Sequence, residues 1–206
     1  MNKDIIIEGL FSTPIYLTEL NKKLSLSEKK FIKDLSKKTY KNEGNIVSID
    51  NYVLNKPPLK NLKKVIEKNI DIYFEKIYAP LDKIKPFITQ SWINFTSENQ
   101  FHHTHEHPNS LISGVYYIDA DENLDSIKFF KSPRYQPIKF RSHTFNHFNS
   151  DTWIYPVKTG KLIMFPSSTT HSVDNKKGSN IRTSLAFNVF FKGTIGDNKA
   201  LTELKI

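Results

Sequence analysis

Residues 102–118 read HHTHEHPNSLISGVYYI and join a histidine-rich segment to the most strand-like segment of the chain. Four of the seven histidines lie within the first six of these positions. Pro108–Ser110 form a turn signal, and the apolar residues that follow predict a buried strand. Because neutral imidazole is the commonest side-chain metal ligand, the segment predicts a metal site beside the start of a buried strand.

Spacing alone does not decide which histidines of this segment would bind the metal. His105 and His107 are two residues apart, so an extended backbone directs both rings to one face. His103 and His105 have the same spacing. The turn and the strong strand directly after His107 favour the later pair.

A second element repeats the order of strand, turn and histidine. Residues 160–166 read GKLIMFP, which predicts a buried strand, and His171 follows at the head of another strand. Arg182 lies eleven residues later among apolar neighbours, with Ser184 on the same strand face. An arginine guanidinium binds a carboxylate through two parallel hydrogen bonds, and a hydroxyl can add a third. Arg182 and Ser184 therefore predict an anchor for the far carboxylate of a metal-chelating dicarboxylate.

The composition limits the classes of protein that need to be considered. A chain of 206 residues with 38% hydrophobic residues is long enough for one domain with a sizeable core. Because there is no cysteine, thiolate metal sites, disulfides and cysteine nucleophiles are excluded. The first apolar run is too short for a secretory signal, and no window is long enough for a membrane span. We therefore expect a cytoplasmic location and no membrane partner.

The formal net charge of +9 raises the question of a nucleic-acid partner. The lysines are spread over helices with polar outer faces, as at Lys22-Lys23 and Lys63-Lys64, which indicates a solvated surface. The pattern therefore disfavours a nucleic-acid partner, although the charge alone does not exclude one. A homodimer also stays open.

Two helices are predicted before the sheet, after a short strand over residues 10–17 that Pro14 interrupts. Ser25 and Glu28 have the spacing of a capping box at the start of the first helix. Pro57-Pro58 and Pro80 bound the second, longer helix. Its apolar residues recur at helical spacing and are expected to be buried against the sheet: Leu59, Leu62, Ile66, Tyr73 and Ile77.

From about residue 86 the apolar residues alternate with a period of two. Strands are predicted over residues 87–96, 111–119, 126–131, 153–157, 161–165 and 181–192. Many short strands after two helices, without a βαβ rhythm, favour an antiparallel barrel or jelly roll backed by helices. We expect an α+β, mainly β, cupin-like double-stranded β-helix over residues 86–192 within a single domain of residues 1–206. Residues 1–85 would supply the N-terminal strand and the supporting helices, and residues 193–206 a C-terminal tail.

These motifs together resemble those of a known family. The chain is similar over most of its length to the small, helix-backed 2-oxoglutarate/iron(II) oxygenases, which are relatives of the prolyl-hydroxylase-like enzymes. The segments that carry the resemblance are LFSTPIY at 10–16, SWIN at 91–94, HEHPNSLISGVYY at 105–117, GKLIMFP at 160–166, His171 and RTS at 182–184.

The resemblance implies a particular site and reaction. His105, His107 and His171 would bind iron(II), while Arg182 and Ser184 would hold 2-oxoglutarate. Tyr117 would contact 2-oxoglutarate as well. The enzyme would use dioxygen and 2-oxoglutarate to hydroxylate a protein side chain or a small molecule, with release of succinate and CO₂.

Two positions depart from the family's pattern. Most such enzymes bind iron with two histidines and one carboxylate, but the residue two after His105 is His107. No His-x-Asp or His-x-Glu occurs in the chain. Three imidazoles would still leave three octahedral positions for the keto acid and dioxygen. The other departure is residues 131–134, where the family tends to carry an acidic residue before the proline.

Two further functions stay open. A cupin-like dioxygenase with three histidine ligands needs no 2-oxoglutarate, although Arg182 with Ser184 argues against it. A non-catalytic, metal-containing binding protein is the other. His143 and His147 favour a loop rather than a metal site. The substrate cannot be read from the sequence, because specificity would lie in loops such as residues 131–152.

Overall fold

The computed structural model describes residues 5–131 and 140–206. The first half contains β1 (Tyr16–Glu19), α1 (Leu26–Leu35), β2 (Thr39–Lys41), β3 (Ile46–Ser48), α2 (Lys60–Tyr78), β4 (Ile84–Thr96) and β5 (His102–His105). The second half contains β6 (Ile112–Asp119), β7 (Ser126–Phe130), β8 (Thr152–Pro156), β9 (Lys161–Pro166), β10 (His171–Val173), β11 (Arg182–Ile195) and β12 (Leu204–Lys205).

The strands form two antiparallel sheets. The major sheet has the order β1-β9-β6-β11-β4-β3-β2, with β12 paired to the end of β11, and the minor sheet has the order β5-β10-β7-β8. Apolar side chains from β6, β7 and β9 join the sheets: Tyr117, Ile127, Phe129, Ile163 and Phe165. This architecture confirms the predicted mainly β, double-stranded β-helix fold.

Both predicted helices are present and contribute to the larger core. At the start of α1 the Glu28 backbone N–H donates to Ser25 Oγ at 3.2 Å, and the Ser25 backbone N–H donates to the Glu28 carboxylate at 2.7 Å. The predicted capping box is therefore confirmed. Lys22 pairs with the same buried carboxylate at 2.7 Å. No helix in the described part of the chain has the length and apolar character needed to cross a membrane.

The buried face of α2 agrees with the predicted one except at its end. Leu59, Leu62, Ile66 and Tyr73 are buried in one cluster with residues of the major sheet, as predicted. The prediction for Ile77 is wrong, because its side chain is 43% exposed. Ile77 lies in the last turn of α2, where the neighbouring Tyr78 is also exposed, so this turn extends beyond the core.

The N-terminal strand is shorter than predicted. It begins at Tyr16 and pairs with β9, whereas Leu10 and Phe11 are largely exposed. Phe11 has a φ of 58°, which interrupts an extended backbone, and Pro14 has no N–H to donate to a ladder. The strand predicted to begin at His171 is present as β10, whereas the short strands β2, β3, β5 and β12 were not among the predicted strands.

Gly114 provides a test of the core packing between β6 and β11. A Cβ atom at this position would lie 2.2 Å from Cζ of Phe187, whose ring is buried. We expect Gly114→Ala to lower the free energy of unfolding by about 1–3 kcal/mol, because the buried ring must be displaced. Urea unfolding measures the change. Gly9→Ala is the matched control, since its nearest neighbour is the exposed Ser12 hydroxyl. An equal effect of both substitutions would contradict this account.

Candidate metal centre

The pairing of β5 with β10 brings two of the predicted ligands together. In this ladder His171 lies directly opposite His105. His107 follows β5, where its backbone N–H donates to the Ser167 carbonyl at 3.0 Å. One nitrogen from each of these three rings lies within 4.8 Å of the other two nitrogens. We call His105, His107 and His171 the inner triad.

Hydrogen bonds to the backbone fix the orientation of two rings of the inner triad. Nδ1 of His105 lies 2.8 Å from the His103 carbonyl oxygen, and Nδ1 of His171 lies 3.0 Å from the Thr169 carbonyl oxygen. Because a carbonyl oxygen only accepts, each Nδ1 carries the proton. Nε2 of each ring therefore keeps its lone pair, which is the arrangement that metal-binding histidines commonly have.

The surroundings of the inner triad keep its imidazoles neutral. Burial and, to a smaller extent, the neighbouring histidines lower the pKa of His171 to about 3. Burial likewise lowers the pKa of His107 to about 4, with a smaller contribution from His105. The pKa of His105 is also lowered, mainly by burial. All three rings are thus in the form that a metal ion requires at neutral pH.

The residues predicted to hold a carboxylate line the same cavity as the inner triad. Arg182 and Ser184 lie at the start of β11, and Ser184 is paired with Tyr117 of β6. All three are buried. Burial raises the pKa of the Tyr117 phenol, and the nearby Arg182 charge partly offsets that effect. The phenol therefore stays protonated and able to donate a hydrogen bond.

Two charged residues that sequence reasoning missed surround Arg182. Nη1 of Arg182 lies 3.3 Å from Oδ1 of Asp125, and Nζ of Lys176 lies 3.5 Å from the same oxygen. Lys176 also donates to Oδ1 of Asn180 at 2.9 Å. Arg182, Asp125 and Lys176, which we call the buried charge trio, together carry two positive charges and one negative charge. No short sequence motif contains this trio, because Asp125 is 57 residues from Arg182 in the chain.

A second group of histidines lies beside the inner triad. One nitrogen from each of His102, His103 and His105 lies within 4.8 Å of the other two, and we call these residues the outer triad. The His102 ring stacks on that of His105 with the centroids 4.4 Å apart. The geometry thus leaves both pairs that were considered from the sequence, His103/His105 and His105/His107, within reach of a metal.

The other sequence candidates lie away from this cluster. His143 and His147 are exposed, and the His147 ring packs against Trp153 with the centroids 4.1 Å apart. Neither belongs to a group of metal-ligating side chains within residues 5–131 and 140–206. Most of the unusual segment at 131–134, and part of the predicted specificity loop at 131–152, lie outside the described residues.

The sequence matches a known family over the segment that contains the site. Residues 90–188 match the family model described as "Putative 2OG-Fe(II) oxygenase". This segment includes both histidine triads, the buried charge trio and Ser184. No curated protein matches the chain.

Solved structures of low sequence identity share the fold. A prolyl-4-hydroxylase from Pseudomonas putida has a TM-score of 0.56 at 11% identity, covering 86% of this chain and 93% of that one. A viral collagen prolyl hydroxylase from Paramecium Bursaria Chlorella virus-1, in complex with 2-oxoglutarate, has a TM-score of 0.52 at 12% identity, covering 85% and 94%. HygX from Streptomyces hygroscopicus, with nickel, 2-oxoglutarate and hygromycin B bound, has a TM-score of 0.59 at 8% identity, covering 86% and 82%.

The family match and the architecture agree with each other. The matched segment runs from β4 into β11 and so includes strands of both sheets, and the similar structures cover more than three quarters of this chain. Residues 90–188, just under half of the chain, are therefore similar to the 2-oxoglutarate- and iron(II)-dependent oxygenases, and the fold of the chain is the fold of such enzymes.

Proposed function

We propose that this protein is a 2-oxoglutarate-dependent hydroxylase whose inner triad binds iron(II) and whose Arg182 and Ser184 bind the distal carboxylate of 2-oxoglutarate. One observation carries the proposal: three neutral imidazoles and a buried arginine with surplus positive charge line the same cavity. A metal at one end and a cation at the other end of a cavity suit a keto acid with two carboxylates.

The inner triad fits a divalent transition metal. Imidazole nitrogen is a good ligand for iron, nickel, copper and zinc. Two nitrogens on one ion, each about 2.0–2.1 Å from it, lie at most about 4.2 Å apart, so only small ring movements are needed to close the triad. The Nδ1–H groups of His105 and His171 already point at carbonyl oxygens, which holds both rings in a metal-binding tautomer.

Apolar rings shield the inner triad from one side. The Phe165 ring lies 4.7 Å and the Phe129 ring 6.2 Å from the His171 ring, measured between centroids. The His107 ring lies 5.9 Å from the Trp92 ring. The two buried phenylalanine rings cover one side of His171, whereas Trp92 packs beside His107 at the edge of the open groove.

The donor set lacks the usual carboxylate, and this affects the charge of the site. Glu106 is exposed and lies between His105 and His107 in sequence, so it does not replace the missing ligand. Three neutral ligands leave the full double charge of a ferrous ion uncompensated. The chelating end of 2-oxoglutarate would bring a compensating negative charge, which favours binding of the keto acid to this site.

The distal end of the cavity provides donors for the other carboxylate. The guanidinium has five N–H donors, and the Asp125 contact uses only Nη1. Ser184 and the protonated Tyr117 lie on neighbouring strands beside it. The buried charge trio has a net charge of +1, so a carboxylate bound there would balance its charge.

Bound iron and 2-oxoglutarate would together supply the oxidation of a C–H bond by dioxygen, with succinate and CO₂ as co-products. A polar groove on the open side of the histidines, lined by Tyr40, Asn42, Gln90 and Trp92, gives the substrate a route to the metal. The similar structures include hydroxylases of prolyl residues and a complex with hygromycin B. We therefore propose a protein side chain or a small polar molecule as the substrate.

The three-histidine donor set also favours a second candidate, a cupin-like dioxygenase that uses no 2-oxoglutarate. The two functions differ in whether 2-oxoglutarate binds to the metal-loaded protein. Binding of metal without any turnover would indicate the non-catalytic alternative. The cytoplasmic location and the homodimer stay predictions.

The role of Arg182 can be tested by calorimetry under anaerobic conditions. We expect Arg182→Leu to weaken binding of 2-oxoglutarate to the iron-loaded protein by a few hundredfold or more, about 3–5 kcal/mol, because a buried carboxylate loses its charged partner. Iron binding should be retained. Arg141→Leu, which removes an exposed arginine, is the control. Unchanged affinity of the Arg182 variant would favour the cupin-like alternative.

The identity of the metal ligands can be tested at His107. We expect His107→Ala to weaken iron binding by at least about 100-fold, more than loss of a ligand's hydrogen-bonding partner usually causes. His107→Asp should keep iron bound, because it creates the common set of two histidines and one carboxylate. Anaerobic iron titration, followed by the visible absorption band of the chelated keto acid, measures both. His103→Ala should leave this affinity nearly unchanged. Loss of iron in His107→Asp but not in His107→Ala would favour the His103/His105 pair.

The lowered pKa values predict how the stability of the metal-free protein depends on pH. Below about pH 6.5 the unfolded chain binds protons on its histidines, whereas the folded chain does so only near the lowered pKa values of about 3 and 4. Stability should therefore fall as the pH drops from 6.5 towards 4, by about 1.4 kcal/mol per pH unit for each buried imidazole. Urea unfolding in EDTA at pH 7, 6 and 5 measures this slope. His171→Asn should reduce the slope, whereas His143→Gln, at an exposed site, should not.

A further inference from the structure

The nitrogens of the outer triad, like those of the inner triad, lie within 4.8 Å of one another, but the outer triad is not needed for the proposed reaction. We propose that His102, His103 and His105 form a second binding site for a divalent transition-metal ion, and that this site competes with the inner triad for His105. The competition rests on the proposed inner metal site, whereas the existence of the outer site does not.

An unpartnered nitrogen points to a ligand at the outer triad. Nδ1 of His103 is buried and has no hydrogen-bond partner in the described part of the chain. Leaving a buried polar atom without a partner is unfavourable, and such atoms in native proteins call for an explanation. A metal ion bound by this lone pair would remove the penalty.

A carboxylate near the outer triad could add a fourth ligand. Oε2 of Glu43 lies 3.9 Å from Nδ1 of His103, and the Glu43 side chain is 70% exposed and so able to reorient. Among residues 5–131 and 140–206, no carboxylate belongs to the inner triad's cluster. The outer site would therefore present three nitrogens and one oxygen, a donor set that suits zinc, nickel or copper.

The outer triad is also the more accessible of the two. All of its histidines are partly exposed and line the groove. His107 of the inner triad lines the groove too, but the third inner ligand, His171, is buried and does not. An ion that enters through the groove would meet His102 and His103 before it reaches His171. The outer site therefore lies on the approach to the inner one.

One hydrogen bond makes occupation of the two triads mutually exclusive. Nδ1 of His105 donates to the His103 carbonyl, so only Nε2 of His105 has a lone pair for a metal. Bridging two ions would require removal of the Nδ1 proton and loss of that bond. Each chain should therefore hold one ion at a time, and an ion in the outer site should leave the inner site without His105.

The test uses Ni²⁺ as the probe with the metal-free chain of residues 1–206. In His107→Ala, which weakens the inner triad without touching the buried His171, we expect Ni²⁺ to bind through the outer triad. Adding His103→Ala should then weaken Ni²⁺ binding at least about tenfold, whereas adding His147→Ala should have no effect. In the otherwise wild-type chain, His103→Ala alone should change Ni²⁺ affinity little. Calorimetry gives the affinities and circular dichroism verifies the fold of each variant.

Different results overturn the two parts of the proposal. If His103→Ala has no effect in the His107→Ala background, the outer triad is not a metal site. If the wild-type chain binds two Ni²⁺ ions, the triads do not compete for His105. Both measurements use the metal alone, so neither depends on 2-oxoglutarate. If His171→Gln leaves Ni²⁺ affinity unchanged in the wild-type chain while His103→Ala lowers it, the inner site fails and the outer site stands alone.

Discussion

The hydrogen-bonded ladder along β11 is the constraint on which the rest of the structure depends. This strand pairs with β4 along one edge and with β6 along the other, so it forms the centre of the major sheet. Its buried apolar residues, such as Leu185 and Phe187, belong to the core cluster that packs the two helices against the sheet. The first residues of the same strand, Arg182 and Ser184, turn into the cavity between the sheets. Core packing and the proposed anchoring of 2-oxoglutarate are thus linked through one rigid element.

The charges of the cavity explain why an anionic ligand suits it. Asp125 lies between Arg182 and Lys176 and compensates only one of their two charges. Burial makes an uncompensated charge unfavourable, and the cost is reduced when an anion binds beside it. The neutral inner triad adds no negative charge, so the charge of a bound metal ion would also be uncompensated. A dicarboxylate that reaches both ends of the cavity would compensate the metal at one end and the buried charge trio at the other.

The features that could be predicted from the sequence depend on local patterns. The capping box of Ser25 and Glu28 involves residues three apart, and the long strands β4, β6 and β11 of the major sheet are rich in apolar residues. The strand β5 carries no such signal, because it is short and polar and is stabilised by its pairing with β10. The exposure of Ile77 could not be predicted, since helical spacing does not tell where the sheet beneath a helix ends. The contact between Asp125 and Arg182 joins distant segments, and only the assembled barrel brings them together.

The backbone around His105 decides how the histidine cluster can work. A run of histidines could in principle use either ring nitrogen, which is why spacing left two ligand pairs open. The His103 carbonyl removes that freedom, because it holds the proton on Nδ1 of His105 and leaves Nε2 alone to bind a metal. His105 lies between the two triads: its ring centroid is 4.4 Å from that of His102 and 4.3 Å from that of His171. In the proposed scheme, the partly exposed outer triad and the inner triad, which includes the buried His171, compete for this single lone pair.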